Sequence, residues 1–369
     1  MAEQLKHMFN KDNIGELAQD FKVVYPEFDK DGFLTTIFDQ DWDDRSLMER
    51  ERHITLALGK YLPDDYPTAI SIIDQVAPKY TGWMTMLATV FPDFVQVYGT
   101  NEQHFDVSIR ALKEYTKCCT SEFGVRPFIE KYEEKMLPIM MEWACDENEH
   151  VRRLASEGCR PALPWGKALK KYKEDPTPII PILELLKDDD SKYVQKSVAN
   201  NINDIAKTHP DLVVDLMKSW YGKSKNTDWI VKHGCRTLLK RGNVEALKLF
   251  DYENASAIEV SELTISDKEI VMGEGLSFSF SLCATTDTKI RLEYGVDFMK
   301  ANGKHNRKVF QISETVLKAN EKKTYTKKHQ FADLTTRKHY PGEHVMTLIV
   351  NGAERGSVRF ELRGLSHCE

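Results

Sequence analysis

Several features that would mark a membrane, secreted or metal-binding protein are missing from this 369-residue sequence. No uninterrupted apolar run approaches the roughly 18–20 residues that cross a bilayer. The N-terminus, MAEQLKHMFNKDN, lacks the short apolar core of a secretion signal. The seven cysteines are scattered without a CxxC pair, which argues against a disulfide framework and against a thiolate zinc site. We therefore expect an intracellular protein with no membrane contact and no metal.

An overall excess of basic residues is also missing. The chain has 51 Lys and Arg against 57 Asp and Glu, so any anionic partner would need a local basic surface. Two regions offer one: residues 221–250 hold seven basic and two acidic residues, and residues 301–369 hold thirteen and seven. A solvated charged face is the alternative explanation of such runs.

The period of the apolar pattern changes near residue 255. Before it, apolar residues recur at spacings of three and four, which predicts helices. After residue 258, short alternating segments rich in β-branched and aromatic residues, with Asn351-Gly352 as a tight-turn signal, predict strands. We therefore predict a helical domain over residues 1–255 and a small immunoglobulin-like β-sandwich over residues 258–369, with the boundary inside 251–260.

The helical part contains an internal repeat of about 43 residues. Residues 137–158 align with residues 180–201, and a shorter third copy covers residues 229–242. A period near 40 in a helical stretch is typical of a HEAT-like solenoid, in which one row of helices lines a concave surface. The three copies should therefore form equivalent, side-by-side helices.

These three helices present polar faces opposite their apolar ones. At 100° per residue, the third helix shows a continuous basic stripe that includes a tryptophan. The stripe consists of Trp229, Lys232, His233, Arg236 and Lys240, the first helix shows Arg153, Glu157 and Arg160, and the middle helix shows Asn201 and Asp204. Cations and amides suit the phosphates of an anionic polymer, whereas the carboxylates need another explanation.

The segment EHVRRLASEGCRPALPWGKAL, residues 149–169, resembles the AlkC-type DNA alkylation repair glycosylases, which are HEAT-like repeat glycosylases. The likeness extends through residues 120–129, 197–213 and 229–243 and into residues 340–352. The resemblance implies removal of N-alkylated bases, especially N3-methyladenine and N3-methylcytosine, from double-stranded DNA by cleavage of the N-glycosidic bond. We expect a cytoplasmic, nucleoid-associated monomer that needs no cofactor.

The same resemblance implies the site residues. Glu157 and Glu122 would lie at the lesion with Asp204 nearby, and Trp165 would lie against the DNA. These four are the candidate catalytic residues, although Glu122 and Asp204 could instead cap a helix end or satisfy a local amide. The candidate DNA-binding residues are Trp229, Lys232, His233, Arg236, Lys240, Arg241, Arg153, Arg160 and Asn201.

The chemistry of an alkylated base agrees with such a site. A base that already carries positive charge leaves without a general acid, whereas the oxocarbenium character at the sugar needs a nearby carboxylate. The sequence shows no signature of an enclosing pocket. The resemblance to HEAT-like glycosylases implies that the duplex is gripped and bent. A non-catalytic HEAT-repeat scaffold and a damage-sensing DNA-binding protein are the alternatives that the sequence leaves open.

Overall fold

The computed structural model describes residues 5–80, 86–252, 255–333 and 338–364. Residues 253 and 254 of the predicted linker therefore lie outside the described residues. The chain divides into two compact units, residues 1–234 (the helical unit) and residues 235–369 (the β unit). No helix in the described ranges is long and apolar enough to span a membrane.

The helical unit consists of α-helices joined by short loops and 3-10 turns. Its helices are α1 Lys11–Val24, α2 Lys30–Ile37, α3 Leu47–Tyr61, α4 Tyr66–Val76, α5 Val90–Tyr98, α6 Phe105–Tyr115, α7 Arg126–Lys131, α8 Glu133–Trp143, α9 Glu149–Gly158, α10 Lys170–Glu174, α11 Ile180–Leu186, α12 Lys192–Ile205, α13 Pro210–Trp220 and α14 Lys225–Gly234. The 3-10 turns are Ala77–Lys79, Met86–Thr89, Glu102–His104 and Thr177–Ile179. Several helices begin at a side-chain cap, as α3 does with the reciprocal Ser46 and Glu49 pair.

The predicted repeat is confirmed in the packing of three helices. Helix α12 lies between α9 and α14 and contacts both. The contact is close at Gly234, where an added Cβ would lie 2.8 Å from Cγ2 of Ile202. The first and middle copies therefore occupy neighbouring, equivalent positions, and the third copy begins in the same way.

The third copy is not one continuous helix, so the prediction of a single helix over residues 229–242 is wrong. Helix α14 ends at Gly234, and α15 (Arg236–Lys240) begins after Cys235 in the β unit. Cys235 has φ −79° and ψ 1°, which lies outside the α-helical region. Residue spacing alone does not reveal such a break, because a single glycine such as Gly234 inside a helical pattern does not by itself end a helix.

The β unit contains α15, α16 (Val244–Leu249), a 3-10 turn at Ala255–Ala257 and two sheets. The strands are β1 Ile258–Val260, β2 Thr264–Ile265, β3 Glu269–Val271, β4 Gly275–Ala284, β5 Thr288–Met299, β6 His305–Leu317, β7 Lys322–Gln330, β8 Gly342–Val350 and β9 Ala353–Arg363. In one sheet β4 pairs with β1, β2 and β7, and the other has the order β3-β9-β8-β5-β6. Inward side chains of both sheets form one apolar core, which confirms the predicted immunoglobulin-like sandwich.

The predicted turn at Asn351-Gly352 joins β8 to β9. Both residues have positive φ, 48° and 76°, as a two-residue hairpin turn requires. The turn also packs on the short helices of the β unit, because a Cβ at Gly352 would lie 2.6 Å from Cδ1 of Leu247 and 3.0 Å from Cα of Gly242. Helices α15 and α16 therefore belong with the strands.

Candidate active site

Helix α9 carries the centre of the site, and Asn148 fixes its start. The Asn148 side chain accepts a hydrogen bond from the backbone N–H of His150 at 2.9 Å, which satisfies a donor that a helix start leaves free. Val151 and Leu154 are buried on the apolar face. At the other end, a Cβ on Gly158 would lie 2.6 Å from Cγ1 of Val125, so this glycine allows the close packing that positions the preceding residue, Glu157.

Glu157 is buried and held at both carboxylate oxygens. Its Oε1 accepts a hydrogen bond from Nη1 of Arg160 at 2.6 Å and lies 3.6 Å from Nη2 of Arg153. Its Oε2 accepts a hydrogen bond from the Ser197 hydroxyl of α12 at 2.6 Å. The Ser197 hydroxyl is also 2.7 Å from that of Ser156. The orientation of the carboxylate is therefore fixed by two neighbouring repeats.

The other two candidate carboxylates lie at the ends of the same network. Glu122 accepts from Nη2 of Arg153 at 2.7 Å and from the Thr120 hydroxyl at 3.0 Å. Asp204 accepts from Nε of Arg160 at 2.8 Å and from Nζ of Lys207 at 2.7 Å. Acidic and basic side chains thus alternate along the charge network, which is Glu122, Arg153, Glu157, Arg160, Asp204 and Lys207.

This alternation keeps the two guanidinium groups charged. Burial disfavours the charged form of Arg153, but the Glu122 and Glu157 carboxylates outweigh burial and raise its pKa. The same balance raises the pKa of Arg160, where Glu157 and Asp204 outweigh burial. Three carboxylates face three cations, so the network holds charged groups in place without a net buried charge.

Trp165 lies on the loop that follows α9 and is 62% exposed. Its φ of 62° is a left-handed conformation, which costs a residue with a Cβ about 1–2 kcal/mol. The buried Arg126 clamps the loop, because its guanidinium donates to the carbonyls of Gly158 and Arg160 at 2.8 and 3.0 Å and to that of Lys167 at 2.8 Å. Burial lowers the pKa of Arg126 to about 10. A firmly held loop thus presents an exposed indole.

A cavity of about 360 Å³ opens beside Glu157 and Trp165. Its lining also includes Glu51, Glu122, Arg160, Met48, Met86, Thr89, Cys119, Thr120, Phe123, Leu163 and Pro164. The residues that line this cavity come from separate segments of the chain. For this reason no enclosing pocket was predicted from the sequence. Carboxylates, apolar side chains and an indole therefore meet in one concave site, as ligand-binding sites commonly do.

A second aromatic group lies on α14. The Trp229 ring stacks on His233 with 4.9 Å between the ring centroids. Nζ of Lys192 lies 5.4 Å from the centroid of the indole, which is a cation–π distance. Lys232 lies in the last turn of the same helix. The helical unit thus brings together part of the predicted DNA-binding set, whereas Arg236, Lys240 and Arg241 belong to the β unit.

Comparison with known proteins identifies relatives over both units. A family model described as "DNA alkylation repair enzyme" matches residues 108–238, and a model of the C-terminal Ig-like domain of the uncharacterised protein YhaZ matches residues 259–364. The chain is 48% identical to the uncharacterized protein YhaZ of Bacillus subtilis, over 97% of this chain and 99% of that protein. The structure of Pseudomonas fluorescens alkylpurine DNA glycosylase AlkC bound to DNA containing an abasic site analog aligns with a TM-score of 0.92 and 37% identity, over 97% of this chain and 99% of that chain. The chain belongs to the AlkC-type family of DNA alkylation repair proteins.

Three residues predicted to contact DNA in this AlkC-type chain bind other groups of the protein, and two of them, Arg160 and Asn201, are buried. Asn201 is fully buried and donates its amide N–H to the Ser156 carbonyl at 2.8 Å, so it fastens α12 to α9. The side chains of Arg153 and Arg160 are only 12% and 8% exposed, and they bind carboxylates. For these residues contact with DNA stays a prediction, and a helical wheel alone does not show which polar face the next repeat covers.

Two side chains of the AlkC-type site were not predicted. Arg126 carries a signal, since it stands before Pro127 in an otherwise apolar run of VRPFI. Glu51 carries another, because it falls on the apolar stripe of α3 between Leu47 and Ile54. A charged residue at a core position of a helix indicates either a buried partner or a functional site.

Proposed function

We propose that this AlkC-type chain is a DNA glycosylase that removes the cationic bases N3-methyladenine and N3-methylcytosine from double-stranded DNA, which begins base excision repair. The observation that supports it best is Glu157, a carboxylate fixed by Arg153, Arg160 and Ser197 at the wall of a cavity beside Trp165. The similarity to an alkylpurine DNA glycosylase over nearly the whole chain supports the same reaction class.

The cationic leaving group explains why carboxylates suit this site. As the bond from C1′ to the base nitrogen breaks, its electron pair neutralises the base and positive charge develops on the sugar. A carboxylate already oriented toward that charge stabilises it without reorganisation, which is the main source of electrostatic catalysis. An aromatic face such as that of Trp165 adds a cation–π attraction of about 1–2 kcal/mol when water is excluded.

The carboxylates differ in how many of their oxygens are engaged in hydrogen bonds. Both oxygens of Glu157 accept hydrogen bonds, one from Arg160 and one from Ser197. Both side-chain hydrogen bonds of Glu122, in the described part of the chain, end on Oε2. We therefore assign charge stabilisation to Glu157, and to Glu122 the role of orienting the attacking water and accepting its proton. Asp204 supports Arg160.

DNA contacts away from the lesion need no sequence specificity. Trp229 and His233 of the helical unit offer rings to the sugar-phosphate backbone, and Lys232 offers a cation. Further cations come from Arg236, Lys240 and Arg241 of the β unit. Such contacts fix the position of a protein on the duplex and carry no base information. We therefore propose that the protein acts as a monomer and that its partner is double-stranded DNA with an alkylated base.

The scaffold alternative does not explain why carboxylates line the cavity. Carboxylates repel phosphates, so Glu122 and Glu157 do not help a protein that only holds the DNA backbone, whereas a damage sensor could use them to attract a cationic base.

Release of free base from methylated duplexes, with a uracil duplex of matched sequence as the control, tests the proposal. We expect release of N3-methyladenine and N3-methylcytosine and essentially none of uracil, which is a neutral base. Binding of damaged duplex without release would support the damage-sensing alternative, and absence of both would support the scaffold. Equal rates on uracil and N3-methyladenine would contradict the argument from the leaving group.

A further inference from the structure

A third carboxyl group lines the cavity without belonging to the charge network. Glu51 lies on α3, is 6% exposed, and shares the 360 Å³ cavity with Glu122, Glu157 and Trp165. It also lines an adjoining cavity of about 220 Å³. None of the chemical steps proposed above involves Glu51. Burial of a carboxyl group in a ligand-sized cavity costs free energy unless the group binds a partner.

Two arginines near Glu51 are bound to other carboxylates. Arg52 donates to both carboxylate oxygens of Asp93 at 2.8 and 2.7 Å. Arg160 is bound to Glu157 and Asp204. Within residues 5–80, 86–252, 255–333 and 338–364, no ion pair of Glu51 forms.

The remaining titratable neighbours do not favour an ionised Glu51 either. Those that line the cavity are the Cys119 thiol and the Glu122 and Glu157 carboxyls. Burial raises the pKa of Glu51 to about 7, and the opposing effect of the Thr89 hydroxyl is smaller. Near neutral pH, a large fraction of molecules therefore carries an O–H donor in this cavity.

We propose that the protonated carboxyl of Glu51 donates a hydrogen bond to the base as the N-glycosidic bond breaks. The proposal rests on the proposed glycosylase function. In this step the bond's electron pair moves onto the base, which leaves neutral. Water adds to C1′ and gives its proton to Glu122, and Glu51 keeps its own proton. The base becomes a better hydrogen-bond acceptor as it loses its positive charge, so the bond is stronger in the transition state than in the ground state.

An ionised Glu51 has the opposite effect. A carboxylate in the same place attracts the cationic base before cleavage and no longer stabilises the neutral base that leaves, so it slows departure. We expect the single-turnover rate of the wild-type protein to fall by about tenfold between pH 5.5 and pH 8.5 as Glu51 ionises. A hydrogen bond that changes the rate about tenfold assists the departure of a cationic base, but it is far too weak to release uracil.

Two variants test the role of Glu51 through the pH profile. Glu51→Gln keeps an N–H donor but does not titrate, so its rate at pH 5.5 should lie within about threefold of wild type and stay constant up to pH 8.5. Asp93→Asn removes a negative charge that raises the pKa of Glu51, so the alkaline limb should move to lower pH. Glu130→Gln is the control, because Glu130 is paired with Lys167 at 2.9 Å beside the adjoining cavity, and it should keep the wild-type profile.

The substrate is a duplex with a single N3-methyladenine, and the readout is release of the free base. A Glu51→Gln profile that follows the wild-type one, or a loss that is equal at every pH, overturns this proposal and leaves the glycosylase function intact. An alkaline limb that Asp93→Asn does not move overturns it as well, even if Glu51→Gln fails to fold. No release by the wild-type protein at any pH overturns both proposals.

Discussion

Replacing Glu157 by glutamine removes the charge of the central carboxylate and little else. Glutamine has nearly the same size, and its carbonyl oxygen can still accept from Ser197 or Arg160, which now lie at 2.6 Å from the carboxylate oxygens. If this charge stabilises the developing oxocarbenium ion, the single-turnover excision rate should fall by roughly 10²–10³-fold. Affinity for DNA should be held or raised, since one negative charge near the phosphates is gone.

The same substitution also lowers the free energy of unfolding. Loss of one partner from a buried ion pair costs about 3–5 kcal/mol. Arg160 keeps Asp204 at 2.8 Å and the glutamine still accepts a hydrogen bond, so about 1–3 kcal/mol is expected here. For a unit of this size, each kcal/mol lowers Tm by about 2–4 °C. The protein should therefore remain folded at 25 °C, where excision is measured.

Asp189→Asn is the matched control for that cost. Asp189 is also a buried carboxylate, and it binds Arg152 of the same helix, α9, at 2.6 and 3.2 Å. It should lower Tm by a similar amount and leave the excision rate unchanged. The assignment of Glu157 would be refuted by wild-type release of N3-methyladenine from the Glu157→Gln protein, or by an equal loss of activity in Asp189→Asn.

Three further predictions concern the exposed ring, the cations of α15 and a histidine of the β unit. Trp165→Ala keeps the same backbone strain, so stability to heat should change by less than about 0.5 kcal/mol, while single-turnover excision falls about 5–30-fold. Arg236→Ala and Lys240→Ala should each lower the slope of log K against log salt by roughly one, measured by DNA titration. His344 accepts from the Met299 N–H at 3.4 Å, and burial lowers its pKa below 6.5, so its neutral form stabilises the fold fully above pH 6.5. This stabilisation should be lost as pH falls through the lowered pKa. Between pH 7.5 and pH 5, the Tm of His344→Gln in thermal unfolding should therefore fall less than that of the wild-type protein.

The repeat and the hairpin turn could be predicted because their signals are local. The spacing of Val194, Val198 and Ile202 defines the buried face of α12 within a few turns. Asn351-Gly352 needs only the preference of two adjacent residues for positive φ. Neither inference depends on knowing which distant segment packs nearby.

The charge network could be predicted only in part, because it joins residues that are far apart in the chain. Arg160 binds Asp204, 44 positions away, and this contact turns a polar face into an interior. Periodicity assigns Arg160 and Asn201 to polar faces but does not show that the neighbouring repeat covers them. Glu51 was missed for a related reason, since the other walls of its cavity come from segments well downstream.

The contact between Leu247 and Gly352 determines where the polypeptide chain can be divided. The strands begin at Ile258, so a boundary drawn from secondary structure would cut the chain there and separate Leu247 from the turn on which it packs. A piece that starts at Cys235 keeps α15 and α16 in place and keeps the apolar surface beside Gly352 covered. Chimeras that exchange β-sandwiches between relatives should therefore fold better with a crossover at residue 235 than at residue 258. The segment to be exchanged is therefore larger than the β-sandwich alone.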